Sequence, residues 1–296
     1  MAHTISSVTG TTGDSITGAA GDVERLGRNT AASPWVARFA RLGFAAKGVV
    51  YVVIGVLAAQ VALRDGGSTT DRNGALRAIY EQPFGKALLT VVAIGLIGYA
   101  VWSLLRAALD PDHKGTDAKG IVARVAYAAV GVSYLGLAVA AFQLVLGTGT
   151  GGKSSNTTTR DWTARFLDLP FGPLLVIVAG LVVVGVGGFL IYRAYTGSFS
   201  KYLNLAQLSA RGRDGVLWLG RCGYAAQGVI AAIVGVFLVI AALRHNANDT
   251  RGVGGALAAL VHQPYGHVLL GLIALGLIAF GAYAFVEARY RRIATA

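Results

Sequence analysis

Six stretches of apolar sequence, none containing Asp or Glu, constrain this chain more than any other feature. They are Gly43–Leu63, Lys86–Leu105, Ile121–Leu146, Gly172–Tyr192, Val216–Leu243 and His267–Val286. Each meets the length of roughly 20 residues that a helix needs to cross a bilayer. Backbone groups inside hydrocarbon must be satisfied internally, which leaves helices or closed barrels. The alternation of a membrane β-strand is absent, so helices are the reading. Composition agrees: only 14% of residues are charged, against about 25% in a soluble domain. The predicted fold class is all-α, a polytopic membrane protein with six transmembrane helices.

The six spans are three copies of one hairpin. The first helix of each pair opens on Arg41-Leu-Gly-Phe-Ala-Ala-Lys-Gly48, Arg124-Val-Ala-Tyr-Ala-Ala-Val-Gly131 or Arg221-Cys-Gly-Tyr-Ala-Ala-Gln-Gly228. The second opens on Pro83-Phe-Gly85, Pro170-Phe-Gly172 or Pro264-Tyr-Gly266. Small residues recur two turns apart on one face of the first helix, at Gly48/Gly55, Gly131/Ala138 and Gly228/Gly235, a notch in which another helix can approach closely. Ahead of each proline, apolar residues at helical spacing (Leu76 and Ile79, Phe166, Leu257 and Leu260) predict a short amphipathic helix on the outer surface. The repeats are placed at residues 37–113, 114–200 and 201–293, after a tail over residues 1–36 expected to be disordered and cytoplasmic. Two spans per copy give all three hairpins one orientation, and three like hairpins predict a pseudo-threefold bundle.

Charge sets the orientation. Sixteen of the 26 Lys and Arg fall on the side holding both termini, and nine on the other. The positive-inside rule therefore puts the termini in the cytoplasm. The net charge of +12 is explained the same way, and with no basic-aromatic stripe nucleic acid is not expected as a partner. Cys222 is the only cysteine, so no internal disulfide or thiolate metal cluster is available.

The Arg-x-Gly-aromatic-Ala-Ala-x-Gly segments, Gln82-Pro-Phe-Gly85, Gln263-Pro-Tyr-Gly266 and the closing Glu287-Ala-Arg-Tyr-Arg-Arg292 resemble domain-of-unknown-function family 1206. The resemblance covers about residues 38–293. It implies a bacterial inner-membrane protein with a triplicated two-helix domain, and it carries no activity and no functional residues.

Few residues suggest chemistry. Gly147-Thr-Gly-Thr-Gly-Gly-Lys153-Ser154 spells a phosphate loop, but it follows a membrane helix rather than a strand and lies on the outer side, so it reads as a linker. Charges within the spans are very few; Lys47 lies one turn into the first helix, and its expected behaviour is to snorkel to the cytoplasmic interface. The residues two before each proline, Glu81, Asp168 and His262, define a speculative outer ring that would attract a cation at a shared mouth; the alternative is ordinary helix-end groups. Arg41, Arg124 and Arg221 define a speculative inner ring for anionic lipid headgroups. Opposed histidines of a haem site, metal-ligand clusters and nucleophile–base pairs are absent from the pattern. No cofactor, metal site, catalytic residue or enzyme activity is expected. The reading is a structural or interaction component of the bacterial inner membrane, its partners the lipid bilayer and an unidentified membrane protein. The alternative is a small-solute or ion channel or transporter with its pathway along the threefold axis.

Overall fold

The structure, a computed structural model, describes residues 34–63, 69–109, 117–149, 152–261 and 263–291, without the side chains of residues 34–36, 109 and 207. The expected disordered tail, apart from its last three residues, lies outside the described residues, as do His262 and two residues of the Gly147–Ser154 segment. Six long helices cross the apolar layer: α1 (Pro34–Leu63), α3 (Gly85–Leu109), α4 (Ala118–Leu146), α6 (Gly172–Thr196), α7 (Ala210–Leu243) and α9 (Gly266–Tyr290). Each contains its apolar stretch, and α1 starts nine residues before it because backbone hydrogen bonding continues past the edge of the hydrocarbon. Three short helices, α2 (Arg72–Tyr80), α5 (Ser155–Leu167) and α8 (Val253–Val261), join the spans of each hairpin. They define a cap face; the opposite end, where α1 starts and α9 finishes, is the termini face.

The Pro-aromatic-Gly motif makes the corner from each short helix into the next span. Phe84, Phe171 and Tyr265 hold left-handed backbone with φ of 60–62°, and all three rings are exposed. The glycine is required by contact: a methyl added at Gly85, Gly172 or Gly266 would lie 2.1–2.2 Å from the carbonyl oxygen of Tyr80, Phe166 or Leu260.

The long helices pack as a ring in chain order, with the last helix joined to the first. The closest pairings run between repeats, α3 with α4, α6 with α7 and α9 with α1. The glycine notches make these joints, and the same contacts recur in each. A methyl at Gly48 would lie 2.9 Å from the Gly281 carbonyl oxygen, one at Gly228 2.7 Å from that of Gly187, and one at Gly131 3.1 Å from that of Ala100. Backbones in such proximity gain dispersion contact that lipid cannot match.

Contacts within a repeat complete the ring in only two of the three copies. In the first, Gly43 fits against Tyr99 and Gly95 against Ala46; in the third, Gly223 fits against Phe280 and Gly276 against Ala226. The second copy has Ala126 and Val182 where the other two have glycine. Those side chains fill the notches, and α4 and α6 make no substantial contact. The exposure pattern follows. Ala126, Ala129 and Ser133 are exposed, whereas Gly43, Ala46 and Val50 and also Gly223, Ala226 and Ile230 are buried. Val182, Val186 and Phe189 are 60%, 48% and 60% exposed. A methyl at Gly185 meets nothing within 4 Å, yet at the matching Gly98 it would strike the Phe39 carbonyl. The pseudo-threefold bundle is therefore open along one seam, between α4 and α6.

Candidate functional site

The ring closes on itself at the cap face, and a connecting segment packs under its third repeat on the termini face. On the cap face the short helices meet at their N-terminal ends. Asp71 caps α2 by accepting from the Gly74 amide at 3.0 Å, and its second carboxylate oxygen accepts from the Ser155 amide at the start of α5. Asn156 Oδ1 accepts from the amides of Gly252 and Gly255 at 2.7 and 2.9 Å, tying α5 to α8. Thr69 Oγ1 donates to the Gly254 carbonyl at 2.8 Å and ties α8 back to the α2 entry. Leu76 and Leu257 are fully buried beneath α2 and α8, while α5 leaves Trp162 and Phe166 exposed, a second departure of the middle repeat. Glu81 and Asp168 cap the opposite, C-terminal ends of α2 and α5 and are exposed. The knot of N-termini holds the centre of the cap face, and these two acids stand at the far ends of the helices that meet there.

On the termini face the segment between α6 and α7 turns back under the bundle as two 3-10 helices, Ser198–Tyr202 and Leu205–Gln207. Phe199 is 1% exposed, its ring 5.2 Å from Tyr224 and 5.3 Å from Tyr283. The Tyr283 hydroxyl donates to the Phe199 carbonyl at 3.3 Å. The amide of Asn204 donates to the Tyr290 carbonyl at 2.8 Å, fixing this segment to the end of α9.

A cation on an aromatic ring marks each joint between repeats. The Arg106 guanidinium lies 3.8 Å from the Tyr127 ring centre and donates to its hydroxyl at 2.7 Å. Arg193 lies 4.8 Å from the Tyr224 ring. The third joint has Glu287 at the matching position, and its partner ring, Phe44, receives Arg291 at 4.7 Å. Arg291 is held there by a 2.5 Å ion pair with Glu287, with 9% and 4% of the two side chains exposed. Arg124, from the expected headgroup ring, donates to the carbonyls of Ala107 and Ala108 at 2.7 and 3.0 Å and so caps α3. Arg41 and Arg221 are exposed. Arg221 lines an apolar groove of about 680 Å³ with Tyr195 and the exposed Cys222.

Between these two faces sits Lys47. It is 9% exposed, with its ammonium 4.6 Å from the Phe280 ring centre and 5.2 Å from that of Tyr99. Both rings are ten residues from the end of their helix, about 15 Å along it. Lys47 is therefore enclosed by the bundle instead of reaching an interface, because the inter-repeat joint at the adjacent Gly48 turns position 47 inward. The rings form one cluster: Tyr99 lies 4.6 Å from Tyr134, Tyr51 4.8 Å from Phe280, and Tyr224 5.4 Å from Phe280. From the cap side Arg72 donates to the Tyr51 hydroxyl at 2.9 Å and lies 5.3 Å from the Tyr134 ring. The centre is thus filled by aromatic rings between two cations. No group of three or more His, Cys, Asp or Glu suited to a metal occurs among the described residues.

These features define a class, a multi-pass membrane protein built from a triplicated helical hairpin. The family model for Domain of Unknown Function (DUF1206) matches the chain three times, at residues 42–110, 125–197 and 222–291, and the chain belongs to that family. It is similar to the Uncharacterized protein YxxB of Bacillus subtilis (strain 168), with 35% identity over 241 residues, covering 81% of this chain and 85% of that protein. No solved structure matches it.

Proposed function

We propose that the protein is a non-enzymatic interaction component of the bacterial plasma membrane, and that a membrane-spanning helix of a partner protein docks along the seam between α4 and α6. The observation that carries this reading is the exposure of the second repeat at positions where the other two repeats are buried. The seam continues an interface already used twice in the same ring, it is apolar except for Ser133, whose hydroxyl donates to the Ala129 carbonyl at 2.8 Å, and Gly185 leaves room there for an approaching backbone. The filled aromatic centre and the knotted cap face weigh against a water-filled pathway along the axis. Exposed Arg41 and Arg221 suit contact with anionic headgroups.

Gly185→Trp is expected to abolish co-purification of a membrane partner from native membranes while the isolated protein folds normally. Leu181→Trp, at a position exposed to the bilayer in all three repeats, should leave it intact. Equal retention of the partner in both variants, or the recovery of lipid alone, contradicts a docked helix. The excess of Lys and Arg on the termini face supports a cytoplasmic location for that face. With Cys222→Ser as background, Asp161→Cys should react with a membrane-impermeant maleimide in intact spheroplasts and Arg289→Cys only after lysis. The reverse pattern would invert the orientation.

A further inference from the structure

We propose that the groove between the end of α6 and the start of α7 binds one anionic phospholipid, its phosphate on Arg221 and its apolar part along Ile191, Ala194 and Ala225. The groove, about 680 Å³ in volume, is completed by Tyr195 and Cys222. Its polar and apolar parts are ordered by depth. Arg221 and Tyr195 stand at the end toward the termini face. Ala225 and Ile191 lie four residues further along these antiparallel helices, about 6 Å deeper in the apolar layer. Trp218 and Tyr195 are 65% and 84% exposed at this end, and such rings are favoured at headgroup level. A guanidinium at that level above an apolar trough matches a molecule whose phosphate lies at the surface and whose chains run inward.

The sequence explains why the groove forms at this joint. The position of Cys222 is held by Leu42 and Val125 in the other two repeats, so α7 carries the smallest side chain there. At the first joint Arg124 is spent on the carbonyls of Ala107 and Ala108. Arg221, its counterpart, forms no hydrogen bond or ion pair with the described residues. Its open donors suit a phosphodiester, which a guanidinium engages through two parallel bonds. No acid lines the groove to receive an amine headgroup. Asp214, the one acid of α7, is seven residues from Arg221, about 10 Å along the helix. Lys201 and Arg211 are exposed on the same face, so a headgroup of net negative charge is favoured. The groove lies on the α7 side of α6, and the inference stands independently of the helix proposed for the seam with α4.

The test uses the full-length chain in a non-ionic detergent. It is titrated separately with phosphatidylglycerol, phosphatidylcholine and sodium glycerol phosphate, and mass spectrometry of the intact complex reads occupancy. One phosphatidylglycerol should bind the wild type, with affinity about tenfold weaker in Arg221→Gln, the loss of a charge-assisted contact. Cys222→Leu, which restores the side chain of the first repeat, should also weaken it. Lys201→Gln, an exposed cation outside the groove, should behave as wild type. The native cysteine then locates the lipid. Bound phosphatidylglycerol should slow the reaction of Cys222 with N-ethylmaleimide. In Cys222→Ser/Val125→Cys, which moves the thiol to the matching place of the first joint, the rate should be the same with and without lipid. The proposal is overturned if phosphatidylcholine or glycerol phosphate binds as tightly as phosphatidylglycerol, if Arg221→Gln binds like the wild type, or if both thiols are protected alike.

Discussion

Gly281→Leu is expected to cost about 3 kcal/mol or more of stability and to leave little monodisperse protein, because it forces apart the joint between the last span and the first. A methyl at Gly281 already lies 2.7 Å from the Gly48 carbonyl oxygen and 2.9 Å from the Val52 amide, so a larger side chain meets backbone on the facing helix. Overpacking a tight contact typically costs about 1–3 kcal/mol, and more where the obstacle is backbone that cannot rotate away. The α1–α9 joint also carries a special topological load. It connects the half of the ring formed by α3 and α4 to the half formed by α6 and α7, so its loss divides the bundle. Gly185→Leu is the internal control: it has the same chemistry in the same membrane layer, with nothing within 4 Å of the added atom. Its effect should fall within about 0.5 kcal/mol, as for an exposed site. Equal effects in the two variants would show that the glycines matter for helix propensity and not for packing.

Glu287→Ala is expected to be the second severe substitution, at about 3–5 kcal/mol, the usual cost of leaving one member of a buried ion pair uncompensated. The pair is 2.5 Å long and nearly inaccessible. It also positions Arg291 on Phe44, with Tyr202 at 5.5 Å on its other side. The double variant Glu287→Ala/Arg291→Ala should be more stable than Glu287→Ala alone, since it removes the stranded charge, and chemical denaturation of the wild type, Glu287→Ala, Arg291→Ala and the double variant reads this directly. Lys153–Asp161, 2.6 Å long but with 69% of the lysine side chain exposed, offers the contrast. Its removal should leave the unfolding midpoint unchanged, because solvent screens an exposed pair. A Glu287→Ala protein as stable as the wild type would mean that water reaches Arg291.

Much of this architecture was legible in the sequence, and the reason is physical. A span must be apolar over its whole length, so the bilayer writes its thickness into the chain; the six stretches fall within the six helices. The glycine notches read from spacing at Gly48, Gly131 and Gly228 proved to be contact points, since close helix approach admits few residue types. The short helices before each proline were legible from their apolar spacing for the same reason.

The centre was less legible. Lys47 was expected at an interface because a single sequence shows depth along a helix but not which side of it faces inward. Its neighbours Tyr99, Tyr134 and Phe280 come from three other helices, and no local pattern brings them together. The seam was written in the chain, in Ala126 and Val182 against Gly43/Gly223 and Gly95/Gly276. It went unread because those positions matter only once the pairing of helices is known. The same comparison aligns Arg106, Arg193 and Glu287, and shows that the third joint has exchanged an arginine for an acid and recovered its cation one turn later, at Arg291. Glu81 and Asp168 were grouped by their distance from proline, which fixes position along each repeat but not the direction in which the short helix runs.

The bundle is a triplicated ring, closed between repeats and open within the second. Disulfide trapping at matching positions tests it most directly. In a Cys222→Ser background, paired cysteines replace Ala46 and Gly95, Ala226 and Gly276, or Ala129 and Val182, one pair per repeat. In the first and third repeats the side-chain carbons would lie within 2.6 Å and 2.4 Å before adjustment, close enough for a small shift to reach bonding geometry. Mild oxidation should cross-link those two pairs and leave Ala129→Cys/Val182→Cys reduced. Cross-linking of the third pair as readily as the other two would contradict the open seam and restore a fully closed threefold ring.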